Sequence, residues 1–87
     1  MVKWNDDKYR QLLLVRGIDL AKVAEIIERG YDAIVPVDNQ EGHPGQLMYI
    51  INYDGYAVCV PFVRESNGDT FLKTAFRSRK YNKGKGV

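Results

Sequence analysis

The dipeptide Asp54-Gly55 separates two runs of β-forming residues, Leu47 to Tyr53 and Tyr56 to Val63. Asp-Gly favours the tight two-residue turn that joins neighbouring antiparallel strands, because both positions tolerate positive φ. The sequence therefore predicts a β-hairpin in the second half of the chain. Pro61 lies inside the second run and has no N–H for a ladder hydrogen bond, so we expect a bulge or an early end of strand pairing near it.

Helical patterns occupy the first third of the chain. Asn5 can cap a helix whose first turn is acidic, as the helix dipole favours, and Gly17 ends that helix. Asp19 can cap a second helix, which Gly30 ends. The apolar stripe of the second helix consists of Leu20, Val23, Ala24 and Ile27. Two helices are thus expected to precede the hairpin.

Further extended segments flank the hairpin. Residues 33–37 read as a short strand, and 70–77 read as a last strand after a turn at 66–69. The sequence predicts an α+β domain in which the two N-terminal helices pack on one face of an antiparallel sheet of about four strands. We assign residues 1–81 to this single domain and 82–87 to a flexible basic tail. The expected core consists of Leu12, Leu13, Val23, Ile27, Ile51, Val58, Val60, Leu72 and Phe76.

Charge is divided unevenly along the chain. Residues 70–87 contain six Lys and Arg and no carboxylate, whereas the preceding residues contain seven Lys and Arg against eleven Asp and Glu. A body of net charge −4 is therefore joined to an end of +6. Such an end suggests a polyanionic partner, and nucleic acid is the commonest polyanion in a cell. The alternative is a solvated C-terminus without a partner.

Composition excludes several classes of protein. Cys59 is the only cysteine, so no disulfide can form within the chain, and its apolar neighbours favour a small buried side chain over a reactive thiol. One His, one Cys and scattered carboxylates make a metal site unexpected, and we expect no cofactor. No segment approaches the roughly 20 apolar residues of a membrane span, and no signal peptide is evident. We expect a soluble cytoplasmic protein.

The last predicted strand carries a candidate cationic surface. Strand alternation would place Lys73 and Arg77 on one face, Arg79 and Lys80 follow directly, and Arg64 ends the strand before. These side chains would suit a phosphate-binding surface, because the guanidinium fork matches phosphate oxygens. The alternative is a solvated sheet face whose charges prevent association with other sheets.

Two residues are candidates for proton transfer. His43, the only histidine, lies in the polar loop 38–46, and imidazole accepts and donates protons near neutral pH. Tyr81, beside the basic run, could donate a proton or stack on a base. A surface histidine in a turn-rich loop and ordinary packing of Tyr81 are the structural alternatives.

Several short motifs resemble, in order and spacing, those of the BrnT-type toxins. They are Lys3-Trp4-Asn5-Asp6-Asp7-Lys8, the step Arg16-Gly17-Ile18 between the helices, the hairpin, and the closing Thr74-Ala75-Phe76-Arg77-Ser78-Arg79-Lys80. This resemblance, which spans nearly the whole chain, implies a ribonuclease of the broader RelE-like fold that cleaves messenger RNA. It also implies a cognate antitoxin protein with a DNA-binding module.

The resemblance implies metal-free transesterification, in which the 2′-hydroxyl of the RNA attacks the adjacent phosphorus. Arg77, Lys73 and Arg64 would stabilise charge on the phosphoryl oxygens, and His43 or Tyr81 would move a proton. Arg79, Lys80, Lys83 and Lys85 would bind flanking phosphates of the RNA. The alternative function is a non-catalytic module that binds nucleic acid or protein through the same basic end.

Overall fold

The computed structural model describes residues 1–82. The proposed tail residues Lys83 and Lys85 lie outside this range. The described chain forms, in order, β1 (Val2–Trp4), α1 (Asp6–Arg16), α2 (Leu20–Arg29), β2 (Ala33–Pro36), β3 (Leu47–Tyr53), β4 (Tyr56–Arg64), β5 (Thr70–Leu72), β6 (Phe76–Arg77) and α3 (Arg79–Asn82). None of these helices is long and apolar enough to cross a membrane.

The ends of the two long helices follow the predicted capping residues. Asn5 Oδ1 accepts the Lys8 N–H at 3.1 Å, and Asp19 Oδ1 accepts the Ala21 N–H at 2.9 Å. Gly17 ends α1 with a φ of 67°, in the left-handed region that favours glycine. The Asp19 N–H also donates to Tyr53 Oη at 3.0 Å, which fixes the start of α2 to the end of β3. The two predicted helices and their boundaries are confirmed.

The sheet is mixed rather than antiparallel. Among the described residues its strands lie in the order β1-β5-β4-β3-β2, and β6 pairs with the first half of β4. β1 runs parallel to β5, with Val2 opposite Thr70, whereas the other pairs are antiparallel. The α+β class is confirmed, but the expectation of about four antiparallel strands is wrong. β1 has three residues, too few to show the alternation that identifies a strand in a sequence.

The hairpin forms where Asp54-Gly55 predicts it. Tyr53 pairs with Tyr56 across the turn, and pairing continues without interruption to Leu47 opposite Phe62. Both turn residues have positive φ, 54° for Asp54 and 86° for Gly55, as this class of turn requires. Pro61 therefore does not interrupt the pairing of β4 with β3.

The irregularity at Pro61 lies on the other side of β4. Leu72 pairs with Phe62, and Phe76 pairs with Cys59. The last strand therefore has one residue more than β4 between these two pairs. The extra residue splits the predicted strand 70–77 into β5 and β6, with the Lys73 N–H donating to the Pro61 carbonyl at 2.8 Å. Pro61 has no backbone N–H to donate to the last strand, so the strand pairing tolerates an extra residue at this point. We call residues 73–75 the bulge.

Each face of the sheet carries its own apolar cluster. The helix-facing cluster joins α1 and α2 to β3, β4 and β5; its largest fully buried members include Leu12, Ile18, Leu20, Val23, Ile51, Val58, Val60 and Leu72. The opposite face carries a smaller cluster of Val37, Met48, Ile50 and Cys59, against which Tyr81 of α3 packs. The helices thus cover one face, whereas loops and α3 cover part of the other.

Two residues expected in the core are exposed. Leu13 is 43% exposed because α1 buries only a narrow stripe: Leu12 points inward, and the next residue is rotated by about 100° around the helix. Phe76 is 36% exposed because the extra residue of the bulge reverses the strand alternation and places Ala75 in the helix-facing core instead. The other seven residues of the predicted core are buried.

Candidate functional site

A pocket of about 370 Å³ lies on the sheet face opposite the two long helices. Its apolar lining comes from Val37, Met48, Pro61 and Phe76. Its polar lining comes from the loop 38–46, through Asp38, Asn39, His43 and Gln46, and from the bulge, through Lys73 and Thr74. The pocket therefore joins an apolar surface to groups that can form hydrogen bonds and to a cation.

Internal hydrogen bonds give the loop 38–46 its shape. The Gln40 side chain spans it: Nε2 donates to the Val37 carbonyl at 2.7 Å, and Oε1 accepts the Gly45 N–H at 3.0 Å. Asn39 Oδ1 accepts the Gly42 N–H at 3.0 Å, and the His43 N–H donates to the Asn39 carbonyl at 3.1 Å. His43 is thus held at the pocket by a hydrogen-bonded turn rather than by a long segment without internal hydrogen bonds.

Several polar groups of the pocket remain free to bind a ligand. Within residues 1–82, the side chains of His43, Gln46 and Thr74 make no hydrogen bond, and Lys73 Nζ has no carboxylate partner. Lys73 Nζ lies 5.9 Å from the centre of the Phe71 ring, a contact that leaves its hydrogen-bond donors available. A ligand could therefore contact these groups without displacing an existing protein bond.

The C-terminal helix α3 borders the pocket through an ion pair. Lys80 Nζ lies 3.3 Å from Asp38 Oδ1, and this carboxylate raises the pKa of Lys80. The Asn82 side chain accepts the Ala57 N–H at 2.9 Å, which attaches the end of α3 to the start of β4. Beside α3, burial raises the pKa of the Cys59 thiol, as expected for an inert packing residue.

The structure brings only some of the predicted site residues together. His43 and Lys73 line the same pocket. Arg64 lies at a neighbouring pocket of about 290 Å³ that also includes Gln46. Its guanidinium is 5.7 Å from the centre of the Phe62 ring, which belongs to the helix-facing cluster, so Arg64 and Lys73 lie on opposite faces of the sheet. Tyr81 packs on the smaller apolar cluster.

Arg77 lies away from the pocket lining, at the end of α1. Its Nη1 donates to the Arg16 carbonyl at 2.6 Å, and Arg16 Nη1 donates to the Ala75 carbonyl at 2.7 Å. The two arginines therefore join the last turn of α1 to the last strand. The expected alternation that put Lys73 and Arg77 on one face is wrong, because the bulge lies between them.

Arg79 begins α3, and its side chain has no hydrogen-bond or ion-pair partner within residues 1–82. Its guanidinium is therefore available to an incoming anion. Lys80, by contrast, is held by Asp38. The roles assigned to Arg79 and Lys80 in binding RNA stay predictions.

Sequence reasoning did not single out several pocket residues. These are Asp38, Asn39, Gln46, Thr74 and Phe76. The turn-rich composition of 38–46 indicated a loop, but nothing in it indicated that the loop folds toward the bulge. Phe76 was placed in the core because a regular strand would have put it there.

Comparisons with models of protein families, with curated proteins and with solved structures gave no match. Among the described residues, no three His, Cys, Asp or Glu side chains are grouped as ligands for a metal ion. The function of the chain is therefore inferred from the pocket and from the charges around it.

Proposed function

We propose that the protein is an endoribonuclease that cleaves messenger RNA without a metal ion, and that it is the toxin of a toxin–antitoxin pair with a RelE-like fold. The observation that supports this proposal is the shared pocket of His43 and Lys73. A proton-transfer group and a free cation are the two elements that cleavage by the RNA's own 2′-hydroxyl requires of a protein.

The proposed reaction uses both groups on one phosphodiester. The 2′-oxygen forms a bond to phosphorus while the bond from phosphorus to the 5′-oxygen breaks, which yields a 2′,3′-cyclic phosphate and a 5′-hydroxyl. The His43 imidazole accepts the proton of the 2′-hydroxyl, and the departing 5′-oxygen takes a proton from water. The protonated imidazole then returns its proton to the hydroxide that is left. The Lys73 ammonium stabilises the negative charge that builds on the phosphoryl oxygens.

Cations at two neighbouring pockets would hold the flanking RNA. Lys73 lines one pocket and Arg64 lines the other, and Gln46 of the loop 38–46 borders both. Arg79 is free to contact a phosphate, whereas Lys80 must first leave Asp38. Lys83 and Lys85, outside the described residues, would add charge that strengthens binding and makes it sensitive to salt.

The cognate antitoxin is proposed to cover the end of α1 and the basic residues Arg77 and Arg79. Leu14 and Val15 on the outer face of α1 are 85% and 74% exposed, and the Arg77 contact to Arg16 places a guanidinium at the same end of the helix. A partner with apolar side chains flanked by carboxylates would complement this surface. Its carboxylates should lie near Arg77 and Arg79.

A cleavage assay tests the enzymatic proposal. Purified protein is incubated with a long messenger RNA and excess chelator, with and without ribosomes, and the products are mapped by primer extension. His43→Asn and Lys73→Gln should each lower the cleavage rate on the order of 10²-fold. Lys22→Gln is the control, because it removes a lysine from α2 on the other side of the sheet.

The outcomes separate the two candidate functions. RNA that is bound but left intact under both conditions would refute the enzyme and favour the non-catalytic binding module. Cleavage that both pocket variants retain in full would place the reaction centre elsewhere. Loss of cleavage in the Lys22→Gln control as well would show that general charge, and not the pocket, governs the activity.

A further inference from the structure

The apolar part of the pocket has the properties of a surface for a flat ring. Met48 and Val37 are buried, at 2% and 8% exposure, and form an unreactive wall together with Pro61. Phe76 is 36% exposed and lines the same pocket. The pocket volume of about 370 Å³ is near the lower end of the range for small-ligand sites, about 300–1,000 Å³. It suits one nucleotide and not a duplex.

The exposure of Phe76 results from the bulge. A regular strand would bury this ring under the helices, and the extra residue places Ala75 there and turns Phe76 to the pocket. The bulge also places Thr74 in the pocket lining, beside Lys73, which ordinary strand alternation after Leu72 already directs to this face. One irregularity of the backbone therefore adds an aromatic ring and a hydroxyl to the space that Lys73 lines.

The polar rim can read the edge of a base. Gln46 offers an amide donor and an amide acceptor, neither of which is used within residues 1–82. Asn39 Oδ1 is occupied by the Gly42 N–H, so its Nδ2 remains as a donor. Paired donors and acceptors of this kind recognise bases whose edges are not hidden in a duplex.

We propose that the pocket binds one unpaired nucleobase of single-stranded RNA, with the base stacked on Phe76 and its edge bonded to Gln46 and Asn39. Lys73 then meets the phosphate attached to that nucleotide. This inference rests on the proposed ribonuclease function and specifies its substrate: a single-stranded segment with one nucleotide inserted beside the cleaved bond. Double-stranded RNA is excluded, because a paired base cannot enter.

The test measures nucleotide binding directly, without cleavage. Adenosine, guanosine, cytidine and uridine 5′-monophosphates are titrated into the isotope-labelled full chain, and backbone amide shifts are followed by NMR. Ribose 5-phosphate is the probe without a base. At least one nucleotide should bind more tightly than ribose 5-phosphate, with the largest shifts at Asn39, Gln46 and Thr74. Phe76→Leu should weaken that nucleotide roughly fivefold or more and leave ribose 5-phosphate unchanged.

Gln46→Ala is the second variant, since residue 46 is outside the apolar clusters and its loss leaves the core intact. It should reduce the difference in affinity among the four nucleotides. Equal binding of nucleotides and ribose 5-phosphate, or Phe76→Leu with unchanged nucleotide affinity, would overturn the inference.

The result is independent of the ribonuclease assay. Specific nucleotide binding in a protein that leaves RNA intact would refute the proposed enzyme and keep the base site. RNA cleavage in a protein that binds nucleotides no better than ribose 5-phosphate would support the proposed enzyme and refute the base-binding site.

Discussion

Replacing Arg77 should test whether this residue joins two parts of the fold or acts on RNA. Its Nη1 donates to the last carbonyl of α1, at Arg16, over 2.6 Å. The negative end of a helix dipole favours a cation at this position, and the hydrogen bond carries a full charge. Arg77→Ala removes this contact and leaves the α1 carbonyl to water.

The expected loss of stability can be estimated from this contact. Hydrogen bonds to charged groups contribute about 1.5–3 kcal/mol, and exposure of Arg77 places it at or below the lower end, at about 1–1.5 kcal/mol. A change of 1 kcal/mol shifts Tm by roughly 4–8 °C in a domain of this size. Arg77→Ala should therefore lower Tm by about 5–10 °C.

The measurement is thermal unfolding followed by far-UV circular dichroism, with Arg79→Ala as the matched control. Arg79 is two residues away and carries the same charge, but has no hydrogen-bond or ion-pair partner within residues 1–82. Arg79→Ala should leave stability within about 0.5 kcal/mol of the parent. Equal melting temperatures for the two variants would refute the structural role of Arg77.

Cleavage by the same variants supplies the second readout. Well below Tm, Arg77→Ala should retain most of its cleavage rate per folded molecule, because Arg77 does not line the pocket. A loss on the order of 10²-fold there would instead place Arg77 among the groups that stabilise the transition state.

Four further outcomes are expected. Ile51→Ala, which empties a fully buried site, should lower the free energy of unfolding by about 2–5 kcal/mol in urea titrations; a loss below 1 kcal/mol would contradict the assigned core. Cys59 should resist thiol-alkylating reagents in the folded protein and react on unfolding, because burial raises its pKa; rapid reaction of the folded protein would contradict its placement. Lys3 lowers the pKa of Asp69, so the stabilisation of the fold by Asp69 should be present above the normal carboxyl pKa and disappear from about pH 4 downward. The free energies of unfolding of Asp69→Asn and the parent should therefore converge as the pH falls. A constant difference at all pH values would argue against the ion pair. Arg79→Glu should weaken co-purification with the product of the neighbouring gene, and unchanged affinity would place the interface elsewhere.

Local features of this fold could be predicted because each depends on a few adjacent residues. Asn5 and Asp19 cap the helices through their own side chains, and Asp54-Gly55 sets its turn through backbone preferences of two residues. The burial of Leu12 but not Leu13 could not be read from the sequence, because residues 12–15 of α1 are all apolar and do not mark one face of the helix. Only the packing of α1 against the sheet decides between them.

The pocket could not be predicted because it depends on contacts between distant segments. His43 and Lys73 are thirty residues apart in the chain and meet only because β3 and β4 bring the loop 38–46 to the bulge. The bulge itself depends on Pro61, a residue of the neighbouring strand. The sequence indicated an irregularity near Pro61. It lies not in β4 itself but in the neighbouring segment 73–75, where the bulge changes which side chains reach the pocket.

The parallel pairing of β1 with β5 has a consequence for the order of folding. Val2 pairs with Thr70 and Trp4 with Leu72, so β5 lies between the first strand of the chain and β4. During synthesis the helices and the β3–β4 hairpin can form from contiguous chain, whereas β1 has no partner until Leu72 has left the ribosome. Closing such a long loop is slow compared with forming a helix or a hairpin. The β1 edge of the sheet is therefore completed last. Strand β5 follows β4 after the short turn 65–69 and can bring Lys73 to Pro61 before β1 pairs, so the pocket can form while this edge is still open.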